Sequence, residues 1–119
     1  MATVLVVDDL PSELQLMVNT LQGAGYSCIT ATNGEEAVQT ATTQRPYVIL
    51  LDVVMPRQDG FATCRTLKKN PQTSGIPVIL VTSKNQESDQ FWGKKQGASE
   101  YITKPFVPSA LVAAVRRFA

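Results

Sequence analysis

Residues 48–52 of this chain read Val48-Ile49-Leu50-Leu51-Asp52, four apolar residues that are followed directly by a carboxylate. The run does not alternate between apolar and polar residues, which is typical of a strand that is buried on both faces. Such strands belong to parallel sheets that are covered by helices on both sides. The run therefore predicts a central strand of an α/β fold.

Three further strand-like runs end in the same way, each followed by polar residues. They are Val4-Leu5-Val6-Val7 before Asp8-Asp9, Val78-Ile79-Leu80-Val81 before Thr82, and Tyr101-Ile102-Thr103 before Lys104. Because the strands of a parallel sheet all point the same way, the residues that follow them gather at one edge. We therefore expect one crevice that contains Asp8, Asp9, Asp52, Thr82 and Lys104.

Helical patterns lie between these runs, and a short strand is expected over residues 28–31. The five predicted helices begin at Pro11, after an Asn33 cap, near Phe61, near Gln86 and near Pro108. Five strands that alternate with five helices predict right-handed βαβ units, with helices on both faces of one doubly wound sheet.

The fourth predicted helix, over residues 86–96, differs from the others. Its only large apolar residues are Phe91 and Trp92, and Gly93 lies inside it. A helix with so narrow an apolar stripe is weakly held, so it can shift or fray at a modest cost in free energy.

The composition predicts one globular domain over residues 1–119, of which 44% are hydrophobic and 18% charged. The net charge of +1 gives no electrostatic basis for binding nucleic acid or a membrane surface. No apolar run approaches the ~20 residues of a membrane span, so we expect no membrane insertion.

The metal-binding and redox residues are few. Cys28 and Cys64 lack metal-ligand spacing, and we expect them to be reduced thiols in the cytoplasm. The sequence has no histidine, the commonest general base and zinc ligand. Any chemistry in the crevice must therefore use oxygen ligands.

The crowded carboxylates of the crevice predict a magnesium site. They repel one another unless a cation joins them, and oxygen ligands suit Mg²⁺. We expect Asp9 and Asp52 to be direct ligands and Asp8 to bind directly or through water. The backbone carbonyl of Val54 would complete the protein's share.

Asp52 is placed to act as a nucleophile in phosphate chemistry. A carboxylate forms an acyl phosphate when a metal and a cation offset the charge of the attacked group, and Lys104 supplies that cation. Phosphorylation adds about two negative charges and three acceptor oxygens. We expect the Thr82 hydroxyl to move towards those oxygens, which predicts a switch rather than an enzyme active site.

Four ordered motifs match a known family. They are Asp8-Asp9, Leu51-Asp52-Val53-Val54-Met55-Pro56 with Asp59-Gly60, Val81-Thr82-Ser83, and Lys104-Pro105-Phe106. At matching intervals over nearly the whole chain, they resemble the motifs of bacterial response-regulator receiver domains. The resemblance implies a flavodoxin-like, doubly wound parallel sheet of five strands in the order 2-1-3-4-5, with five helices.

The resemblance also implies a role for each residue of the site. A histidine kinase would transfer a phosphoryl group to Asp52, and Lys104 would contact that group. Thr82 would be the switch hydroxyl, and Tyr101 the switch aromatic that turns inward when Thr82 moves. The ligands of Mg²⁺ would be Asp8, Asp9, Asp52 and the carbonyl of Val54.

Two further expectations follow from the family pattern. In the family, the side chains two positions after the phosphoacceptor and after the switch hydroxyl tune the loss of the phosphoryl group. Here they are Val54 and Lys84, and neither is an amide or acid that would position a hydrolytic water. We therefore expect a moderately to very long-lived phosphorylated state. The peptide bond between Lys104 and Pro105 is expected to be cis.

The output pathway has weaker sequence signals. Residues 76–84 and 92–98 are similar to regulators of type IV pilus twitching motility and phototaxis. The chain ends with the fifth predicted helix, so we expect a stand-alone receiver that signals by protein contact. A downstream motility or signalling protein would bind the face made by helix 4, strand 5 and helix 5, through Gln90, Lys94 and Tyr101.

Three alternatives stay open. A magnesium-dependent phosphatase of the haloacid dehalogenase type places its nucleophile after the first strand, with an acid two residues later, whereas here Val54 stands two residues after Asp52. A flavodoxin needs a loop that cradles phosphate, and Asp8-Asp9-Leu10-Pro11 would repel one. The third alternative is an interaction module that keeps the fold and signals without phosphorylation, against which the intact acids argue.

Overall fold

The computed structural model describes residues 2–55 and 58–118, so Pro56 of the predicted motif lies outside the described residues. Five strands alternate with five helices, as predicted. The strands are β1 (Thr3–Val7), β2 (Ser27–Ala31), β3 (Val48–Leu51), β4 (Val78–Thr82) and β5 (Glu100–Thr103). The helices are α1 (Pro11–Gly23), α2 (Gly34–Gln44), α3 (Gly60–Lys69), α4 (Glu87–Lys95) and α5 (Pro108–Arg116).

The five strands form one parallel sheet in the order β2-β1-β3-β4-β5. This is the doubly wound, flavodoxin-like arrangement that was predicted. Every residue of the inner strands β3 and β4 is buried, whereas the edge strands β2 and β5 are partly exposed. The apolar runs without alternation therefore mark the strands that are covered on both faces.

The core consists of two apolar layers, one on each face of the sheet. Successive side chains of a strand point to opposite faces, so Val4 and Val6 belong to one layer and Leu5 to the other. Helices α1 and α5 cover the first layer, which includes Met17 and Leu111. Helices α2 and α3 cover the second layer. The residues at the ends of the strands are thereby held at a rigid edge.

Helix α4 contacts the sheet through a glycine. Gly93 is its buried residue, whereas Phe91 and Trp92 are 65% and 47% exposed. A Cβ atom on Gly93 would lie 2.8 Å from Leu80 Cδ1 and 3.0 Å from Tyr101 Cδ2. The missing side chain therefore lets α4 lie close to β4 and β5. The apolar stripe expected from Phe91 and Trp92 is therefore exposed, and that α4 is weakly held stays a prediction.

Both cysteines are free, as expected. Cys64 is buried in the second layer, and burial raises the pKa of its thiol to about 11. The thiol is therefore protonated at neutral pH.

None of the described helices is long and apolar enough to cross a membrane.

Candidate functional site

The register of the sheet brings two of the predicted acids together at its carboxyl edge. Val7 of β1 pairs with Leu51 of β3, so Asp8 and Asp52 are the next residues on adjacent strands. The Asp52 N–H continues the ladder by donating to the Val7 carbonyl at 3.0 Å. Both acids are buried, with Asp8 fully covered and Asp52 5% exposed. Their proximity follows from the topology rather than from local sequence.

Backbone contacts fix the orientation of the Asp52 carboxylate. Its Oδ1 accepts a hydrogen bond from the Val53 N–H at 2.7 Å. The chain then returns at Gly60, whose N–H donates to the Val53 carbonyl at 2.8 Å. A Cβ atom on Gly60 would collide with the Asp52 carbonyl, so this close approach requires glycine. Asp52 Oδ2 stays free of these backbone bonds and faces the crevice.

The ammonium group of Lys104 joins three carboxylates among the described residues. Its Nζ lies 2.6 Å from Asp8 Oδ2, 3.3 Å from Glu13 Oε1 and 3.4 Å from Asp52 Oδ2. Burial acts to lower the pKa of Lys104, but the hydrogen bond to Asp8 and the nearby negative charges outweigh it and raise the pKa. Lys104 is therefore charged at neutral pH. The predicted placement of a cation beside Asp52 is confirmed.

Asp8, Asp9 and Asp52 form the acidic cluster that was expected. One ligand oxygen of each residue lies within 4.8 Å of those of the other two. Burial raises the pKa of Asp8, and the hydrogen bonds from Lys104 and the Leu10 N–H only partly offset that effect. A donor set made of carboxylate oxygens fits Mg²⁺, which takes oxygen ligands and retains water in its other positions.

The predicted contribution of Val54 to a metal site concerns its carbonyl oxygen and stays a prediction. The Val54 N–H lies 3.4 Å from Asp52 Oδ1, so the residue follows the carboxylate closely. Its side chain is 55% exposed and lines the cavity beside Asp52. The position two residues after Asp52 is therefore apolar and open to solvent.

A cavity of about 520 Å³ opens at this edge of the sheet. Asp8 and Thr82, which were expected in the crevice, do not line it. The lining contains the predicted site residues Asp9, Asp52, Val54 and Lys104, together with Leu10, Glu13, Leu16, Ser83, Pro105 and Phe106. Glu13 was not predicted from the sequence, although an acid in the first turn of the helix after Asp8-Asp9 is a usable signal. The start of that helix lies at the same edge of the sheet, so such an acid is placed to reach the crevice.

Thr82 lies next to the crevice and Tyr101 lies beneath α4. The Thr82 carbonyl accepts a hydrogen bond from the Lys104 N–H at 2.9 Å, and its buried hydroxyl accepts one from the Lys84 N–H at 3.3 Å. The Tyr101 hydroxyl donates to the Lys84 carbonyl at 2.7 Å. Both predicted switch residues therefore contact the backbone of Lys84. The peptide bond between Lys104 and Pro105 is cis, as expected.

Comparison with known proteins agrees with this geometry. Residues 4–116 match the response regulator receiver domain family. Protein PilH of Pseudomonas aeruginosa is 47% identical over 105 residues, which cover 88% of this chain and 87% of PilH. The structure of chemotaxis protein CheY4 of Vibrio cholerae has a TM-score of 0.93 and 36% identity, covering 100% of this chain and 99% of that chain.

A further similar structure is the receiver domain of a sensor histidine kinase of Pseudomonas aeruginosa, which has a magnesium ion coordinated in its active-site cleft. It has a TM-score of 0.91 at 26% identity and covers 98% of this chain and 96% of that chain. The match of residues 4–116 includes every predicted site residue. The chain therefore belongs to the response regulator receiver domains, the phosphorylation-controlled signalling switches of two-component systems.

Proposed function

We propose that Asp52 accepts a phosphoryl group from a histidine kinase and that this event switches the protein's contacts with a downstream partner. One observation carries the assignment. Asp52 Oδ2 faces the Lys104 ammonium at 3.4 Å, at the mouth of a cavity that has room for a phosphoryl group. Asp8 also has a backbone-anchored Oδ1 and an Oδ2 bonded to Lys104, but it is fully buried and does not line the cavity. Asp52 does line the cavity, which favours it as the acceptor.

The chemistry proposed for this site is a direct phosphoryl transfer. Asp52 Oδ2 attacks phosphorus as the bond from phosphorus to the kinase's imidazole nitrogen breaks, and that nitrogen keeps the electron pair. The product is an acyl phosphate on Asp52. Lys104 offsets the negative charge of the transferred group. The Val53 N–H holds the other carboxylate oxygen, so the nucleophile does not rotate out of line.

The proposed metal ligands are Asp8, Asp9, Asp52 and the carbonyl of Val54. Mg²⁺, when bound, supplies positive charge that stabilises the transferred phosphoryl oxygens. The support is the oxygen-only donor set within 4.8 Å. A similar receiver domain with a magnesium ion coordinated in its cleft agrees with this proposal. Asp8 is already bonded to Lys104, which favours a water-mediated role for Asp8.

We propose that the signal leaves the site through Thr82, Tyr101 and α4. Thr82 would turn its hydroxyl towards the new phosphoryl oxygens and give up its bond with the Lys84 N–H. That change would alter the loop that holds the Tyr101 hydroxyl. The ring of Tyr101 lies under Gly93, so α4 would respond. The supporting observation is that both switch residues contact Lys84.

The proposed output surface is the face of α4, β5 and α5, and the proposed partner is a motility or signalling protein. The 47% identity to PilH favours a partner in pilus-based motility. Gln90 and Lys94 are exposed on α4 and lie away from the crevice. Replacing either with alanine should weaken partner binding without changing phosphorylation, whereas unchanged binding in both variants would refute this placement.

Intact-mass measurement tests the proposed phosphorylation. The native protein, incubated with Mg²⁺ and acetyl phosphate, should gain one phosphoryl group, and Asp52→Ala should gain none. A native protein that binds Mg²⁺ and gains no phosphoryl group would contradict the proposal. That result would favour an interaction module that signals without phosphorylation.

A further inference from the structure

Glu13 is a charged residue of the crevice that the proposed transfer does not use. It lies in the first turn of α1, and its Oε1 is 3.3 Å from Lys104 Nζ. Its side chain is 37% exposed, whereas that of Lys104 is 9% exposed. A carboxylate in the first turn also stabilises a helix through the helix dipole. The contact with Lys104 goes beyond that general role, because it links α1 to the end of β5.

The three contacts of Lys104 differ in strength. The contact with Asp8 is short, at 2.6 Å, and Asp8 is fully buried, so this pair is shielded from water. The contact with Glu13 is longer and its carboxylate is partly hydrated, which makes it the weaker ion pair. The ammonium group has three N–H donors, and three carboxylates now surround them.

A phosphoryl group on Asp52 requires a redistribution of these donors. It brings three strong acceptor oxygens and about two negative charges into the crevice. The donor that now faces Asp52 Oδ2 can pass to one phosphoryl oxygen, but for Lys104 to donate to a second phosphoryl oxygen it must also give up Asp8 or Glu13. Of Asp8 and Glu13, Glu13 has the longer contact with Lys104 and the carboxylate that is more open to water. A released Glu13 carboxylate is also rehydrated easily, because it lines the cavity and is 37% exposed.

We propose that Glu13 is a positioning residue for Lys104. Glu13 holds the ammonium group before phosphorylation and releases it to the phosphoryl oxygens afterwards. This inference rests on the proposed phosphorylation of Asp52. Glu13 has two opposed effects in this arrangement. Its negative charge strengthens Mg²⁺ binding by the acidic cluster, while its hold on Lys104 slows phosphoryl transfer from an anionic donor.

The test is a comparison of Glu13→Gln with the native protein in two measurements. Calorimetric titration of the unphosphorylated protein gives the Mg²⁺ dissociation constant, and intact-mass kinetics at saturating Mg²⁺ give the rate of phosphorylation by acetyl phosphate. We expect Glu13→Gln to raise the dissociation constant and to raise the rate, each by about twofold to fivefold, the range set by the energies of partly exposed ion pairs. A purely structural role would not weaken metal binding and speed transfer together.

Glu87→Gln is the matched control. Glu87 is also a first-turn helix carboxylate and its loss changes the net charge equally, but it lies on α4 and is absent from the cavity lining. It should leave both measurements within experimental error. A Glu87→Gln variant that reproduces the effects of Glu13→Gln would overturn the inference, because the effects would then come from net charge.

A double-mutant cycle with Lys104→Ala tests whether Glu13 acts through Lys104. Adding Glu13→Gln to Lys104→Ala should produce no further increase of the phosphorylation rate. An equal increase in both backgrounds would overturn the inference. Unchanged metal affinity and rate in Glu13→Gln would overturn it as well. If the native protein is phosphorylated on Asp52 in the same experiment, either result leaves the proposed function intact.

Discussion

The phenol hydroxyl of Tyr101 donates a hydrogen bond of 2.7 Å to the backbone carbonyl of Lys84. The bond joins strand β5 to the loop between β4 and α4, which starts directly after Thr82. The N–H of the same Lys84 is bonded to the Thr82 hydroxyl at 3.3 Å. One residue of the loop therefore contacts both proposed switch side chains. We propose that a movement of Thr82 would reach Tyr101 through this residue.

Tyr101→Phe should remove a phenol whose ionisation is shifted to high pH. Burial, followed by the charges of Asp89 and Asp52, raises the pKa of Tyr101 from 10.0 to about 12. The neutral phenol is thus favoured in the folded state, and its contribution to stability is present below pH 10.0 and is lost as the pH rises towards 12. The absorbance of the phenolate during a pH titration measures this ionisation, which should be absent from Tyr101→Phe.

Tyr47→Phe is the control for this titration. Tyr47 is 53% exposed, and its replacement should keep the step near pH 12. A high-pH step that survives in Tyr101→Phe would contradict the assignment.

Gly93→Ala should lower the free energy of unfolding by ~1 kcal/mol, because an overpacking cost of ~1–3 kcal/mol exceeds the ~1 kcal/mol that alanine gains over glycine in a helix. The new methyl group would lie 2.8 Å from Leu80 Cδ1 and 3.0 Å from the Tyr101 ring. Gly23→Ala at the end of α1 is the control, since no atom lies within 4 Å of its Cβ position. Urea denaturation measures both variants. Equal stabilisation of both would show that α4 does not pack through Gly93.

Mg²⁺ should stabilise the native protein against unfolding by ~2.7 kcal/mol at a concentration one hundred times the dissociation constant. The reason is that the cation relieves repulsion within the acidic cluster of Asp8, Asp9 and Asp52. Thermal unfolding with Mg²⁺, and with Na⁺ at equal ionic strength, measures the effect. Asp9→Asn should lose most of the Mg²⁺-specific part. Equal stabilisation of Asp9→Asn by Mg²⁺ would place the metal elsewhere.

Val54→Asn should shorten the lifetime of the phosphorylated state by severalfold. The native valine is 55% exposed beside Asp52 and has no polar group to hold a hydrolytic water, whereas asparagine has an amide that does. Loss of phosphoprotein after removal of the donor, followed by intact mass, gives the lifetime. Val107→Asn is the control, because Val107 is similarly exposed, at 62%, and lies outside the cavity lining. A rapid loss of the phosphoryl group from the native protein would contradict the prediction of a long-lived state.

The residues at the carboxyl edge of the sheet could be predicted from the sequence, because the topology of a parallel sheet alone brings them together. Asp52 and Lys104 are distant in the chain, yet each directly follows a parallel strand, and such residues meet wherever the strands end. The predicted helices follow from apolar spacing and end signals such as Pro11 and the Asn33 cap, whose side chain accepts from Glu36 N. These features depend on local patterns and general rules of sheet topology.

Contacts that depend on close approach could not be predicted in the same way. Glu13 was missed because its ion pair with Lys104 depends on the placement of α1 relative to β5. Gly93 was interpreted as a weak point of a helix, whereas the structure shows that its missing side chain admits Leu80 and the Tyr101 ring. A sequence pattern indicates which residues face a core, but not how near two backbones come.

Chemical localisation of the phosphoryl group is the most direct test of phosphorylation at Asp52. The native protein is phosphorylated with acetyl phosphate and Mg²⁺, reduced with borohydride, which converts an aspartyl phosphate to homoserine, and digested for tandem mass spectrometry. We expect homoserine at position 52, with none at Asp8 or Asp9, and no homoserine in Asp52→Ala. Homoserine at position 8 or 9 of the native protein, or its absence from position 52 in a sample that carries the phosphoryl group, would show that Asp52 is not the acceptor.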